Sequence, residues 1–598
     1  VIRKRRMIRL LPALLVVLMS ASSPVEACTG GTSPDDPLDV LIIGAGWSGL
    51  AAGNQLFQSN GNSNGNNDRN FCILEARDAI GGRSRTIMGA FEPDLPTELG
   101  SAWIYRGSNV FQIFQQAGLV TDVPSFFDLD STALFIDAST FPTTAAVSGG
   151  LLQGNEDRAV RRAYNNFVQF VRARASPDVS LQTLLDTYLA ENAPSLTPVE
   201  QQAIRGLATT IMHTEFGAYM DQTNSRDMVN SLTYSYTIDF VAVPGSGFKP
   251  ALDYFAAPFA NHIRLNTQVL EVDYSYGDNS VVKVTSKNRL TNATTVQYTR
   301  SVLCTVSLGV LQYGEVAFVP PLPAWKTRAI QDMGMGNKNK MILYWDPSTM
   351  TMDADISLWW PTGIHEMHFI TTSTADGTSA TENEWTFFSN DQIHRGNENN
   401  YVLTAWIGGV AADQWESRTD QEILQRVMSN LRKMFPNVSV PDPTKFVATR
   451  WKSDPFTRGT YSYYRVGVNY GDAARALARP VGSTLYFAGE ATSPGGMGAP
   501  DAFSSGERAV TRILDSGVLE QELSPIPTPP PTTPAPQEET PPPPSPTSSP
   551  QPIQKKEAPP EAKCGSVALQ SGYGGTAAQA KGCGNRKLNK NIRRLKGS

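Results

Sequence analysis

The chain has 598 residues, enough for more than one domain, and its hydrophobic fraction of 40% and charged fraction of 18% are ordinary for a globular protein. The formal net charge of −5 argues against nucleic acid as a partner, because phosphate-binding chains usually carry a basic excess. The 5 cysteines include no CxxC pair, so the sequence offers no zinc-site spacing and we expect no metal.

The first 27 residues have the order of a secretory signal. Basic residues from Arg3 to Arg6 precede the apolar run from Leu10 to Met19, and small residues follow up to Ala27. This order defines an export signal, and an apolar run of about ten residues is too short to span a bilayer. We therefore expect a secreted, extracellular protein with signal peptide 1–27 and no membrane-spanning segment.

Two cysteines lie inside apolar runs. Cys72 stands between Phe71 and Ile73, and Cys304 follows Val302 and Leu303. Free cysteine behaves as a small hydrophobic side chain and is often buried. We expect a buried thiol at both positions.

A dinucleotide-binding pattern opens the folded region, which we place at about residues 38–518. The apolar run 39–43 predicts a buried parallel strand, and it leads through Gly44, Gly46 and Gly49 into a helix-forming segment. Gly44 permits a tight turn, Gly46 lets the backbone approach a pyrophosphate, and Gly49 lets the helix pack on the strand. The helix N-terminus, which includes Ser48, offers free N–H groups to the phosphates.

An acidic residue at the end of the next strand strengthens this interpretation. The run 71–74 predicts a strand that ends at Glu75, where a carboxylate accepts hydrogen bonds from both ribose hydroxyls. An acid at this place also argues against a 2′-phosphate. The Asn/Gly-rich stretch 59–70, which precedes the strand, predicts a surface-loop insertion.

Five segments, in their order along the chain, resemble the flavin amine oxidase family. They are Glu75 to Arg83 with its glycine doublet, Glu98 to Ile104, Asn266 to Val272, Thr305 to Leu311 and Tyr486 to Thr492. The resemblance extends over nearly all of residues 38–515. It implies an α/β fold, in which a Rossmann-like FAD-binding domain is interleaved with an α+β substrate domain.

The resemblance also implies the domain boundaries. The FAD-binding domain would comprise 38–120, 240–320 and 450–518, and the substrate domain 121–239 and 321–449.

The C-terminal region differs sharply in composition from the folded region. Residues 523–561 are rich in Pro, Thr and Ser and predict an extended linker, because proline lacks a donor and fixes φ. Residues 562–598 form a basic tail with Cys564 and Cys583, which could pair in an exported protein. The alternatives for the tail are contact with cell wall, glycan or mineral, and a solvated segment without a ligand.

The implied FAD contacts extend beyond the glycine loop and Glu75. The matched positions are Arg83, Gly100, Ser101, Ala102, Trp103, Val269, Glu490 and Ala499. Val269 matches a valine on the adenine, and Glu490 an acid near the ribityl or pyrophosphate portion. In the monoamine oxidase branch a cysteine is linked to the flavin, but Thr460 stands at that place here. Because threonine cannot form the thioether, we expect non-covalent FAD.

A lysine that holds a water near the flavin recurs in this family, and the segment from Met333 to Tyr344 matches its surroundings. The register favours Lys340 as the catalytic lysine. Lys338 is the runner-up, because alternation along a strand points both side chains to one face. A buried ammonium is costly, so a lysine that enters an apolar strand is unusual as pure structure; the alternative is a surface lysine with a buried stem.

The substrate amine is expected between aromatic side chains, whose ring faces attract cations. Tyr461 matches one wall of such a cage, and Trp103 is expected nearby. Two positions depart from the resembled pattern. Gly498 stands where a second tyrosine is common, and Tyr105 stands where a histidine is usual.

The motif set resembles that of polyamine oxidases more than that of the monoamine branch, and this resemblance implies an FAD-dependent polyamine oxidase that uses O2 and a small-molecule amine to make an aldehyde, a shorter amine and H2O2. Carboxylates that bind a polyamine would be Glu215, Glu98 and Glu366, each of which is otherwise a solvated surface acid. The enzyme alternatives are a monoamine oxidase and an L-amino-acid oxidase, which would need an arginine for the carboxylate. The non-enzyme alternative is an FAD-binding protein with reduced catalysis, attached through its tail.

Overall fold

The computed structural model describes residues 28–520, except 29, 63–68, 120–123, 126–131, 138–148, 227–239, 243–245, 277–280, 349–365, 371–386, 390–400, 470, 495 and 497. The predicted signal peptide, linker and tail therefore lie outside the described residues. All described residues belong to one unit, which runs to Thr528.

The first elements of the described residues are a strand, a helix and a second strand, as the glycine motif at residues 44–49 predicts. The strands of the described residues are β1 (Leu38–Ile43), β2 (Phe71–Leu74), β3 (Thr86–Met88), β4 (Pro96–Glu98), β5 (Trp103–Tyr105), β6 (Pro124–Ser125), β7 (Thr132–Ile136), β8 (Phe240–Ala242), β9 (Ile263–Arg264), β10 (Thr267–Asp273), β11 (Val282–Asn288), β12 (Thr294–Cys304), β13 (Ala317–Val319), β14 (Met333–Met335), β15 (Lys338–Tyr344), β16 (Glu366–Ile370), β17 (Phe387–Ser389), β18 (Val402–Gly408), β19 (Lys445–Ala448), β20 (Ser462–Tyr464) and β21 (Leu485–Phe487).

The α-helices of the described residues are α1 (Trp47–Asn62), α2 (Asn109–Gln116), α3 (Gly154–Arg174), α4 (Leu181–Asn192), α5 (Pro198–Phe216), α6 (Lys249–Ala256), α7 (Leu308–Tyr313), α8 (Ala324–Asp332), α9 (Gly409–Glu416), α10 (Asp420–Met434), α11 (Asp472–Ala478) and α12 (Ala499–Asp515). Of these helices, none combines the length and hydropathy that a membrane span requires.

The first large sheet is built around β1. Its strand order in the described residues is β13-β10-β11-β12-β1-β2-β9, and β21 also pairs with β12. β1 runs parallel to both β12 and β2, with Val40 opposite Ser301 and Phe71. Parallel strands are covered on both faces, which explains why β1 is an almost uninterrupted apolar run. The glycine turn that follows Ile43 therefore lies at the edge of the sheet where β1 ends.

The second large sheet has the order β19-β15-β18-β17-β16-β7 in the described residues. β15 lies between β18 and β19 and is antiparallel to both. All of its residues are buried. Met341 and Leu343 point into a core shared with α10, whereas Ile342 and Tyr344 point to the opposite face.

The two sheets draw their strands from different blocks of sequence. The strands of the first sheet all lie within 38–120, 240–320 and 450–518, and those of the second within 121–239 and 321–449. A smaller sheet, β5-β8-β6, takes one strand from each of three blocks. The exact domain boundaries stay a prediction.

A disulfide joins Cys28 to Cys72 in β2. The expectation of a free thiol at Cys72 is therefore wrong. Its partner, Cys28, lies 44 residues earlier, directly after the predicted signal peptide. No apolar run around Cys28 indicates that this residue belongs to the core. Cys304 is confirmed as a buried free thiol, and burial raises its pKa to about 12, so it is unreactive at neutral pH.

Replacing both Cys28 and Cys72 by serine should lower the free energy of unfolding by about 3 to 4 kcal/mol, because the disulfide restrains the unfolded chain. Urea denaturation with and without dithiothreitol measures the effect. The reductant should destabilise the wild-type protein and leave the double variant unchanged. Cys304→Ala, which removes a free thiol, is the matched control and should respond to the reductant like wild type. Equal wild-type stability with and without reductant would contradict the prediction.

Candidate functional site

The turn after β1 is closed on one side by backbone contacts that leave no room for side chains. Gly44 has φ +103°, and a Cβ on Gly49 would lie 1.9 Å from the carbonyl oxygen of Gly44. A Cβ on Gly44 would lie 2.9 Å from Oγ1 of Thr305. At Gly46, in contrast, the nearest described atom to such a Cβ is Cα of Gly82, 4.0 Å away. The loop is therefore closely packed at Gly44 and Gly49, whereas the space beside Gly46 is open.

The glycine doublet after β2 lies against this loop. The N–H of Gly81 donates to the carbonyl oxygen of Ala45 at 2.8 Å, and Gly46 and Gly81 form an isolated β-bridge. Gly81 and Gly82 have φ of +104° and +59°, a region that favours glycine. The two glycine motifs, which are about 35 residues apart in the sequence, thus form one surface.

Glu75 is buried at the end of β2, beside the same loop. Its carboxylate accepts hydrogen bonds from the N–H groups of Ala45 at 2.7 Å and Arg77 at 2.8 Å. Burial raises the pKa of Glu75, and these two hydrogen bonds oppose that shift. A carboxylate oxygen accepts more than one hydrogen bond, so the predicted contact with a ribose remains chemically available.

Arg83 joins three segments that the sequence analysis matched separately. Its Nη1 lies 3.0 Å from Oε1 of Glu490, and the same guanidinium donates to the carbonyl oxygen of Thr460. The second oxygen of Glu490 accepts from Oγ of Ser462 at 2.5 Å. Glu490 is 4% exposed, so its charge is compensated by Arg83 inside the protein.

The segment 100–103 runs along Arg83. A Cβ on Gly100 would lie 1.7 Å from the carbonyl oxygen of Arg83, and the N–H of Ser101 donates to that oxygen at 3.2 Å. Ala102 and Trp103 follow and lead into β5. The segment 100–103 is therefore fixed to the segment of the glycine doublet, which ends at Arg83, through backbone contacts.

Three other predicted FAD residues lie on elements around the loop. Ser48 is buried in α1, and its Oγ is 3.2 Å from Oγ of Ser505 in α12. Ala499 is the first residue of α12. Val269 is buried in β10, at a register shift against β11. Their contacts with FAD stay predictions.

Both candidate lysines lie on one face of β15, as strand alternation predicts. Lys340 is directly opposite Trp406 in β18, and its Nζ is 4.3 Å from the centre of that indole. The same Nζ donates to the carbonyl oxygen of Glu98 at 2.9 Å. Nζ of Lys338 is 4.2 Å from Trp406 and 5.5 Å from Trp103. Contact with indole faces lowers the cost of burying these two cations.

Trp406 is a site residue that the sequence analysis missed. It stacks on Trp103 with ring centres 5.4 Å apart and an interplanar angle of 18°. β18 reads as an ordinary apolar strand, and only the cross-strand register places its tryptophan beside the lysines.

The opposite face of β15 carries buried amides, which were also missed. Nδ2 of Asn339 donates to Glu416 at 2.8 Å, and its Oδ1 accepts from the N–H of Trp451 at 3.0 Å. Oγ1 of Thr449 bonds to Asn339 and accepts from the N–H of Lys340 at 2.8 Å. These hydrogen bonds fix the register of β15 and hence the position of Lys340. The alternation of asparagine and lysine over residues 337–340 was the available signal in the sequence.

The predicted substrate residues are placed to different extents. Tyr461 is half-buried, and its carbonyl oxygen accepts from the N–H of Gly336, two residues before β15. Glu215 belongs to α5 and Glu366 to β16, but both side chains lie outside the described residues. Glu98 is buried rather than solvated; its carboxylate accepts from Thr86 at 2.6 Å and from a backbone N–H, so it holds the structure together.

No group of three or more potential metal-ligating side chains occurs in the described part of the chain. The site thus consists of a glycine-lined cradle, a buried acid, an arginine–glutamate pair and an aromatic group with two lysines.

Comparisons with known proteins identify the family. Residues 47–514 match the family model of flavin containing amine oxidoreductases. The chain belongs to this family. One relative is polyamine oxidase 4 of Oryza sativa subsp. japonica, which is 27% identical over 484 residues, covering 79% of this chain and 87% of the relative. Another is histone demethylase-like protein A of Aspergillus fumigatus, 36% identical over 261 residues, covering 43% of this chain and 22% of the relative.

A solved structure of putrescine oxidase bound to putrescine has a similar fold. The TM-score is 0.58 at 16% sequence identity, and the match covers 80% of this chain and 99% of that chain. The predicted fold class, a mixed α/β flavin amine oxidase fold, is confirmed.

The residues present fit the FAD of this family. The open space at Gly46, the buried Glu75 and the Arg83–Glu490 pair form a cradle for a dinucleotide. Thr460 has a hydroxyl where a thioether would need a sulfur, so FAD is held non-covalently. When bound, the flavin accepts a hydride equivalent from the carbon beside the amine nitrogen and passes the electrons to O2.

Lys340→Met should retain FAD but slow flavin reduction or reoxidation by about 100-fold, because it removes the ammonium that would hold a water near the reacting atoms. Stopped-flow absorbance measures both half-reactions. The matched control is Lys338→Met, which removes the neighbouring ammonium from the same indole and should have a much smaller effect. Slow turnover in Lys338→Met alone would transfer the role to Lys338, and unchanged rates in both variants would exclude a catalytic lysine on β15.

Proposed function

We propose that the protein is a secreted FAD-dependent polyamine oxidase, which oxidises a C–N bond of its substrate to an imine while O2 is reduced to H2O2, and water then hydrolyses the imine to an aldehyde and a shorter amine. The observation that carries the proposal is the correspondence with a polyamine oxidase over 87% of that relative's length. The demethylase-like relative, in contrast, corresponds over 22% of its length. The match therefore covers most of the length of the polyamine oxidase and a minor part of the length of the demethylase-like relative.

The aromatic and cationic groups of the site support an amine substrate. The ring of Trp103, which is partly exposed and stacks on the buried ring of Trp406, offers an apolar surface on which the alkyl chain of an amine can lie. Nearby ammonium groups of Lys338 and Lys340 disfavour a second positive charge, so the bound nitrogen is favoured in the neutral form that can be oxidised. In this proposal Lys340 is catalytic and Trp103 contacts the substrate.

The other substrate contacts in this proposal are Tyr461 and Glu215. Tyr461 follows Thr460, whose N–H and carbonyl oxygen bond to Gly336 and Arg83 respectively, so it is positioned between β15 and the cradle. An aromatic ring there would face the amine. Glu215 would bind a distal ammonium of a polyamine.

Secretion is supported by two features. The order of basic, apolar and small residues in 1–27 is that of an export signal. The disulfide between Cys28 and Cys72 suits an oxidising compartment, because disulfides are rare in proteins of the reducing cytosol.

Anaerobic mixing with spermine, spermidine, benzylamine and leucine tests the substrate class. The full-length chain is collected from the medium of a eukaryotic expression host. Spermine or spermidine should bleach its flavin absorbance, and H2O2 should be released when air is admitted. Bleaching by benzylamine or leucine alone would contradict the polyamine proposal in favour of a monoamine or L-amino-acid oxidase. A flavin-bearing protein that none of the four reduces would favour the non-enzyme alternative, and retention of the chain in the cells would contradict secretion.

A further inference from the structure

The two positions that depart from the resembled family pattern touch each other. A Cβ on Gly498 would lie 3.2 Å from Cε2 and 3.5 Å from Oη of Tyr105. Gly498 has φ −98° and ψ 179°, an extended conformation that any residue can adopt. The backbone therefore does not require glycine at this position. The ring of Tyr105 fills the space that a side chain at residue 498 would need.

Tyr105 belongs to the same surface as the tryptophans of the site. Trp103 and Tyr105 are two residues apart in β5 and share one face of that strand, whereas Ile104, 3% exposed, points into the core. Trp103 stacks on Trp406, and the ammonium groups of Lys338 and Lys340 lie over the ring of Trp406. Tyr105 thus extends the aromatic surface from the lysines towards the start of α12.

The start of α12 is held firmly against the segment that follows β5. The carboxylate of Asp501 accepts from the N–H of Gly498 at 3.2 Å. Nδ2 of Asn109 donates to the carbonyl oxygen of Pro500 at 3.4 Å and to Oγ of Ser504 at 3.0 Å. Because both sides of the contact are fixed, the Tyr105 ring is confined beside Gly498.

We propose that Tyr105 is a specificity-determining residue, which forms the wall of the amine site next to α12 in place of a side chain at residue 498. This inference rests on the proposed amine oxidase function and narrows its substrate class. The partly exposed rings of Trp103 and Tyr105 along one strand face suit a slender, unbranched alkylamine, whose methylene groups lie on the rings. A ring-bearing amine needs the space that Tyr105 occupies.

The first test separates binding from chemistry. Tyr105→Ala should raise KM for the unbranched amine that reduces the wild-type enzyme by about 10-fold, because one aromatic wall is lost, while FAD content and kcat change little. Tyr105→Phe keeps the ring and should retain most of the wild-type affinity. Benzylamine should become a better substrate of Tyr105→Ala than of wild type. An unchanged KM in Tyr105→Ala, or equal KM values in the Ala and Phe variants, would overturn the proposal.

The second test moves the ring. Gly498→Tyr in the wild-type background should lose FAD or activity, because its Cβ alone would lie 3.2 Å from Tyr105. In Tyr105→Gly/Gly498→Tyr the collision is removed and a ring returns to the same wall, so KM should fall well below that of Tyr105→Ala. A double variant with normal FAD content and the KM of Tyr105→Ala would contradict the role of this wall.

Different results would contradict the proposed substrate class and the role of Tyr105. Wild-type enzyme that ignores spermine and spermidine overturns the proposed substrate class. Tyr105→Ala with wild-type KM for an unbranched amine, which is n-butylamine if neither polyamine reduces the wild-type protein, overturns the role of Tyr105 alone.

Discussion

The FAD-binding part of the molecule depends on close contacts between backbone segments at the start of α1. The carbonyl oxygen of Gly44 lies where a Cβ on Gly49 would have to be, and the carbonyl oxygen of Ser48 lies 2.1 Å from a Cβ on Gly506 in α12. Side chains at these glycines would push β1, α1 and α12 apart. Because the contacts are made, parts of the chain more than 400 residues apart meet at one loop, and the space beside Gly46 stays open for a dinucleotide.

The substrate side depends on the two faces of a single strand. One face of β15 presents Lys338 and Lys340 to Trp406, and the other presents Asn339 to a network of buried hydrogen bonds. Buried amides and ammonium groups are costly unless they are satisfied, and here each face supplies partners for its polar groups. Because hydrogen bonds on one face fix the position of β15, the lysines on its other face also have a defined position. A group that holds a water beside a flavin requires such a fixed position.

The elements with a strong local signal could be predicted from the sequence. The glycine loop, the strands on either side of it and Glu75 follow from spacing and apolar runs, and the structure has β1 at Leu38–Ile43 and β2 at Phe71–Leu74. Helix α1 continues to Asn62, further than the expected loop from residue 59, because helical hydrogen bonding overrides the weak preference of a few Asn and Gly residues.

Features that depend on pairing between distant segments could not be predicted in this way. Trp406 is brought to Lys340 by strand register, Cys28 to Cys72 by a disulfide, and Tyr105 to Gly498 by the docking of α12. In the sequence, Gly498 looked like a gap in the aromatic cage. In the structure the adjacent space is filled from another strand, so what looked like two separate departures from a family pattern is one contact.

The FAD content of a Gly46→Val variant tests directly whether the glycine loop after β1 binds FAD. The Cβ of the added side chain would lie 4.0 Å from Cα of Gly82, its nearest described neighbour, so the variant should fold with the wild-type far-ultraviolet circular dichroism spectrum. It should nevertheless be purified without FAD, whereas acid precipitation of the wild-type protein should release about one FAD per chain into the supernatant. Full FAD content in Gly46→Val, or flavin that stays with the precipitated wild-type chain, would contradict the account.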